Sequence, residues 1–234
     1  MSKELKILPV RKLNKKNPKH LKLHPVLPRP PCLIALIGNT NCGKSVWILN
    51  WVYRFYPKYF EQIYWISSTL LNDETTWAIR QDEKIIKITD GLDNLDEILM
   101  DIVAQQQEDK EEGKKVDDVL VILDDCLGYL RKGAIETLCS RMRHYKMTIL
   151  VTTQNFMGMP PAMRYNVFHY VLFKLNSKKE LSKVVQELEQ LFPNFMEIYN
   201  EGLKKKYNFL FIDVKKQIIR ENFGRILYEK KDDD

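Results

Sequence analysis

Eight consecutive residues constrain this chain more than any others. Gly38, Asn39, Thr40, Asn41, Cys42, Gly43, Lys44 and Ser45 follow the pattern G-x-x-x-x-G-K-[ST]. They come directly after the apolar run Leu33-Ile34-Ala35-Leu36-Ile37, which suits a buried parallel strand. The residues that follow, 43–55, read as a helix with Val46, Trp47, Leu49 and Val52 free to pack, and Pro57 stops it. Strand, glycine-bounded loop and helix together are the context in which this pattern cradles phosphate. Glycines let the backbone turn tightly, so successive N–H groups face inward, and the helix N-terminus adds its positive end. Lys44 is expected to reach the β- and γ-phosphates of ATP, and Ser45 to ligate Mg²⁺.

The rest of the chain repeats the alternation. Strands are expected at 62–66, 85–88, 119–123, 148–152 and 167–175, with helices between them. Leu92, Leu95, Ile98, Leu99, Ile102 and Val103 recur on one helical face. A further helix is expected over roughly 127–144, and 155–166 reads as a loop carrying Gly158, Pro160 and Pro161. Ser177 with Glu180 has the form of a capping box ahead of the face Leu181, Val184, Val185, Leu188 and Leu191. Residues 207–214 and 217–221 read as a closing hairpin. This order predicts an α/β fold with a mostly parallel central sheet flanked by helices.

Two further clusters belong with the loop. Val119-Leu120-Val121-Ile122-Leu123 ends in Asp124 and Asp125, placing two carboxylates at a strand's carboxyl end, where open α/β sheets bind ligands. Asp124 is the expected Mg²⁺ ligand and Asp125 the group that polarises the attacking water. Adjacent carboxylates repel unless a cation or hydrogen bonds separate their roles. The next strand closes in Thr152-Thr153-Gln154, and Gln154 is placed to contact the γ-phosphate or the water.

Charge is unevenly distributed. Residues 1–30 hold nine Lys or Arg and one acid, Glu4, in a chain of net charge +6. Six of the ten prolines also lie in 1–31, so this stretch reads as a basic, extended arm suited to phosphates or to an acidic surface. The ATPase domain is expected over 32–223, followed by a charged tail at 224–234. Cys32, Cys42, Cys126 and Cys139 have neither C-x-x-C spacing nor partner histidines, which excludes a zinc site and reads as four reduced thiols. No run of 18 or more apolar residues exists, so neither a membrane span nor a secretory signal is expected.

Taken together, the cradle, Leu123-Asp124-Asp125, Arg143-His144, Val151-Thr152-Thr153-Gln154 and Pro160-Pro161-Ala162-Met163-Arg164-Tyr165-Asn166 resemble the genome-packaging ATPases of poxviruses, other large eukaryotic DNA viruses, virophages and polinton-like elements, within the FtsK/HerA superfamily. The resemblance spans roughly residues 32–175. It implies a RecA-like P-loop NTPase core of the additional-strand type, with an extra strand between the cradle strand and the Asp124 strand. It also implies a homo-oligomeric ring that moves double-stranded DNA, without sequence preference, into a capsid through a capsid or portal-vertex protein. The site of action would be the cytoplasm or nucleus of the infected cell. In such rings an arginine from one subunit completes its neighbour's site. By position Arg143 is the first candidate, followed by Arg141 and Arg164. Asp125 stands where many superfamily members carry Glu, and the loop 39–42 is less rich in Gly and Ser than usual.

A helicase or another DNA-remodelling ATPase would share every residue named so far, and only strand separation against movement on intact duplex distinguishes them. A small-molecule kinase would call for a lid of clustered arginines and no acid after Asp124. Candidate DNA contacts are the basic arm, Arg131-Lys132 and Lys204-Lys205-Lys206, each of which also reads as a solvated face.

Overall fold

The computed structural model describes residues 5–7, 23–70, 74–130 and 132–230. Most of the basic arm, together with Arg131 and residues 231–234, lies outside them. One nine-stranded sheet organises the chain: β1 (Leu33–Ile37), β2 (Gln62–Ile66), β3 (Ile85–Ile88), β4 (Val119–Asp124), β5 (Met147–Thr153), β6 (His169–Phe173), β7 (Phe209–Asp213), β8 (Ile218–Glu221) and β9 (Ile226–Glu229). Their spatial order is β3-β2-β4-β5-β1-β6-β7-β8-β9. The first six pair in parallel, and the last three add antiparallel strands at one edge. β5 lies between β1 and β4, the inserted strand that the resemblance implies.

The central strands β1, β4, β5 and β6 are buried on both faces, which explains why β1 and β4 read as unbroken apolar runs rather than alternating ones. Alternate residues serve two cores. Leu33, Ala35, Ile37, Val119, Val121 and Leu123 face the layer of α3 (Leu95–Glu111), α4 (Lys132–Arg141), α6 (Lys178–Leu188) and α7 (Phe195–Gly202). Ile34, Leu36, Leu120 and Ile122 face α1 (Lys44–Asn50), the aromatic residues that follow it and Ile79 of α2 (Trp77–Arg80). Each fully buried aliphatic side chain contributes about 1.5–3 kcal/mol, so the central strands hold the cradle on a rigid base.

The helix expected over 43–55 is α-helical only to Asn50 and continues as a π-turn, Trp51–Phe55. The widened turn sets Trp47 and Trp51 face to face at 5.1 Å, with Tyr56 against Trp51 at 4.1 Å. The stretch 127–144 divides into a 3₁₀ turn, Leu127–Tyr129, and α4. Within 155–166, expected as loop, α5 (Pro161–Tyr165) forms because proline at a first helical position donates no N–H that would be needed there. Ser177 Oγ accepts the Glu180 N–H, the first half of the expected capping box. The second half is replaced: Glu180 accepts the Phe156 N–H instead, tying α6 to the loop after β5.

Residues on both sides of 32–223 pack on the same body. The proline-rich segment before Cys32 packs on the body: Leu27 is buried, and the Tyr56 hydroxyl donates to the Pro28 carbonyl. Leu5, Ile7, Leu23 and Val26 pack against the same apolar cluster. At the other end Ile226–Glu229, assigned from composition to a charged tail, pairs antiparallel with β8. Outward polar groups on an edge strand hide its pattern among charges. Among the described residues no helix is long and apolar enough to cross a membrane.

Candidate active site

The carboxyl ends of β1, β4 and β5 meet at one place. Gly43 opens α1 with φ at +110°, a left-handed conformation that strains any residue with a Cβ. At Gly38 a Cβ would stand 2.6 Å from Cys42 Sγ and 2.8 Å from Phe173 Cβ, so the loop packs on β6 only with glycine there. Lys44 is buried, and its ammonium donates to the carbonyls of Gly38 at 2.8 Å and Asn39 at 3.0 Å. The charge is thus held by two carbonyls of the loop. Cys42, half-buried in the same loop, has its thiol pKa raised by burial. Burial pushes the thiols of Cys32, Cys126 and Cys139 up to about 12, which keeps them protonated.

The two acids are organised by one hydroxyl. Thr152 Oγ1 donates to Asp124 Oδ1 at 2.7 Å and accepts the Asp125 N–H at 3.0 Å. Trp65, at the end of β2, directs its indole N–H to Asp124 Oδ2 at 3.4 Å. Asp124 is 8% exposed and Asp125 is exposed, with φ at +50° turning it out of the strand line. Burial raises the Asp124 pKa, and the Asp125 charge adds to this, against the lowering by Thr152, Trp65 and Lys44. A buried carboxylate beside a second one is the environment that a divalent cation relieves. Mg²⁺ is held by one or two carboxylates, a hydroxyl and the substrate's phosphates, and Asp124 with the half-buried Ser45 fits that donor set. Among the described residues there is no cluster of three or more His, Cys, Asp or Glu for a protein-only metal site.

Gln154 bridges the remaining parts. Its Oε1 accepts from Thr40 Oγ1 at 3.1 Å, and its Nε2 donates to Asp125 Oδ2 at 3.4 Å. The cradle, both acids and Gln154 are therefore one connected group. Thr152 and Trp65 were not assigned roles from sequence. Thr152 had a signal, being a buried hydroxyl on β5 in register with Asp124, whereas Trp65 reads as an ordinary core aromatic.

The arginines fall elsewhere. Arg143 is exposed at the opposite end of the sheet, its guanidinium 4.5 Å over the Phe168 ring. β5, seven residues long, separates it from its own cradle by at least about 20 Å. Arg164, the third candidate, is engaged within its own chain. It donates to the Met159 carbonyl at 2.9 Å, pairs with Glu187 at 3.4 Å and is 9% exposed, which leaves its head unavailable to a neighbour. Arg141 is exposed on the last turn of α4. Of the candidate DNA contacts, Lys204, Lys205 and Lys206 line a cleft beside the cradle rather than a separate face.

A β-sheet with the inserted strand, a phosphate loop after β1 and two acids at the end of β4 place the chain in the additional-strand class of P-loop NTPases by fold. The family model of the Poxvirus A32 protein matches residues 24–234, and the chain belongs to that family. A mimivirus protein, Uncharacterized protein L437 of Acanthamoeba polyphaga mimivirus, is 28% identical over 98 residues, which is 40% of this chain. The match spans only about a third (34%) of that relative. Among solved structures, the genome packaging NTPase B204 from Sulfolobus turreted icosahedral virus 2, in complex with ATP-gammaS, superposes with a TM-score of 0.59 at 18% identity, covering 83% of this chain and 98% of its own. EssC (ATPases 2 and 3) from Geobacillus thermodenitrificans gives 0.60 at 12% identity, covering 87% of this chain and 41% of its own. Likeness at these identities concerns the fold.

Proposed function

We propose that this chain is an ATP-hydrolysing motor that drives double-stranded DNA into a viral capsid. The observation that carries the reading is the convergence of Lys44, Asp124, Asp125 and Gln154 at one end of the sheet in a chain of the poxvirus A32 family. The solved relative B204 is a genome packaging NTPase and was seen with an ATP analogue.

The chemistry follows from the groups. Residues 38–45 wrap the triphosphate, with Lys44 neutralising charge at the β- and γ-phosphates. Ser45 and Asp124 hold Mg²⁺, which when bound neutralises phosphate oxygens. Asp125 accepts the proton of a water that attacks the γ-phosphorus; the bond to the β-phosphate bridging oxygen breaks, and ADP and phosphate leave. Gln154 orients that water, and Thr152 fixes the aim of the Asp124 carboxylate while anchoring the Asp125 backbone N–H. Arg143 lies too far from its own loop to act there, so it serves the neighbouring subunit of a homo-oligomeric ring, stabilising charge on the γ-phosphoryl group as it leaves. The ring contacts duplex phosphates without reading bases and docks on a capsid or portal-vertex protein, at the assembly site in the cytoplasm or nucleus of the infected cell.

The test is ATP turnover by purified protein with and without linear duplex, alongside K44A and D125N. Stimulation by duplex without strand separation, abolished turnover in K44A with the fold kept, and ATP binding without turnover in D125N are expected. Strand separation would make the chain a helicase, and unchanged turnover in K44A would remove the site.

A further inference from the structure

The cradle has two sides, and the groups described so far occupy only one. Asp124, Asp125 and Gln154 come from β4 and β5, on one flank of β1. The γ-phosphate end of a bound triphosphate must face them. The α-phosphate and nucleoside therefore leave over the other flank, towards the end of β6. A cleft of about 450 Å³ opens there, continuous with loop residues 39–42. That is the size of ligand sites in general, about 300–1,000 Å³. Its walls are the end of β6, with Phe173 and Asn176, and the loop that joins α7 to β7, with Lys204, Lys205, Lys206 and Tyr207.

This loop is built to hold an aromatic ring out in the open. Tyr207 has φ at +66°, a left-handed conformation that bulky residues rarely adopt. It is nevertheless 59% exposed, so its ring does not repay that strain by filling a core. The ring lies beside the mouth of the cradle: a Cβ at Gly43 would be 3.9 Å from its Cδ1. The Lys206 ammonium stands 4.8 Å from the ring centroid. Asn208 clamps the base of the loop, donating to the Gly202 carbonyl at 3.0 Å and to Glu221 Oε1 at 2.8 Å. On the other side Asn39 donates to the Lys174 carbonyl at 3.2 Å, fixing the cradle to the end of β6.

We infer that the loop Leu203–Asn208 is the nucleoside subsite of the ATP site, with Tyr207 stacking on the base of the bound nucleotide and the neighbouring lysines facing its α- and β-phosphates. An exposed aromatic plane beside a phosphate loop suits a nucleobase, since every base offers a π-face. The inference rests on the phosphate-loop reading above. It also gives the antiparallel C-terminal strands a part in nucleotide binding, because β7 and β8 carry and brace this loop.

Calorimetric binding of ATP-gammaS and of inorganic tripolyphosphate, both with Mg²⁺, to the full chain and to Y207A and Y207F separates the possibilities. Tripolyphosphate has the phosphates and lacks the base. Loss of one base stack should weaken ATP-gammaS by about tenfold in Y207A, leave tripolyphosphate within about twofold, and leave Y207F near wild type. Equal loss of both ligands, or loss of neither, overturns the inference while the phosphate loop stands. Unchanged nucleotide binding with lost duplex stimulation assigns the loop to DNA and also overturns it. A wild-type chain that binds neither ligand overturns the phosphate-loop reading itself.

Discussion

Replacing Asp124 by Asn should stabilise the ligand-free protein while abolishing turnover. Asp124 is 8% exposed, and burial with the adjacent Asp125 charge raises its pKa. Ionising Asp124 therefore costs more in the folded chain than in the unfolded one. Asparagine has the same shape, keeps an oxygen for the Thr152 hydroxyl now donating at 2.7 Å, and removes the charge. It gives up the Trp65 contact, which at 3.4 Å is long for a hydrogen bond and contributes little. The net relief is about 1–2 kcal/mol, because removing a buried charge outweighs one weak contact. At about 2–4 °C per kcal/mol for a chain of this size, Tm should rise by roughly 2–8 °C. The sign with pH follows from the raised pKa. Below the ordinary aspartate range both states are protonated and the two proteins melt alike; as pH rises through the raised folded value the wild type loses stability relative to D124N, so the gap opens. Thermal melts of both proteins from pH 4 to pH 8, without nucleotide or Mg²⁺, measure this. Mg²⁺–ATP-gammaS should then stabilise the wild type by about 2.7 kcal/mol at a hundredfold excess over Kd, and D124N by less. A D124N protein no more stable than wild type at pH 7, or a gap independent of pH, would refute the argument that Asp124 is held at a cost for the sake of the metal.

Mixed assemblies of R143A and K44A subunits should recover part of the turnover that each lacks alone, because one supplies an intact cradle and the other an intact arginine; no recovery in verified mixed rings would keep Arg143 out of the neighbour's site. G202A should destabilise the chain by about 1–3 kcal/mol, since the added Cβ would stand 2.4 Å from Leu210 Cδ2 and 2.7 Å from Leu227 Cδ1; an unchanged denaturation midpoint would mean that α7 and β9 shift freely.

The centre of the sheet was legible because β1, β4, β5 and β6 are buried on both faces, and Leu33–Ile37 and Val119–Leu123 carry an unmistakable apolar run. The cradle and acids were legible because their chemistry demands particular residues at fixed places. β9 was not, since an edge strand with charged neighbours lacks that pattern. The packed segment before Cys32 was also hidden. Its prolines exclude helix, yet they do not reveal that Leu27 is buried in the apolar cluster and that the Pro28 carbonyl accepts from Tyr56. The roles of Trp65, Thr152 and Tyr207 depend on which strand ends become neighbours, information that exists only once the sheet has been ordered.

Strand β5 joins the end of the sheet that carries Gln154 to the end that carries Arg143. All seven of its residues are buried, and it is hydrogen-bonded along its length to β1 on one side and β4 on the other. Such an element cannot bow or stretch to absorb a small push; it moves as a stiff rod or not at all. Gln154 sits just past its tip, against the acids, and the turn bearing Arg143 sits just before its root. If Arg143 serves a neighbouring subunit's cradle, as proposed, a displacement of the tip on phosphate release would have a direct route to the root, some 20 Å away, and two catalytic centres would be linked through one strand.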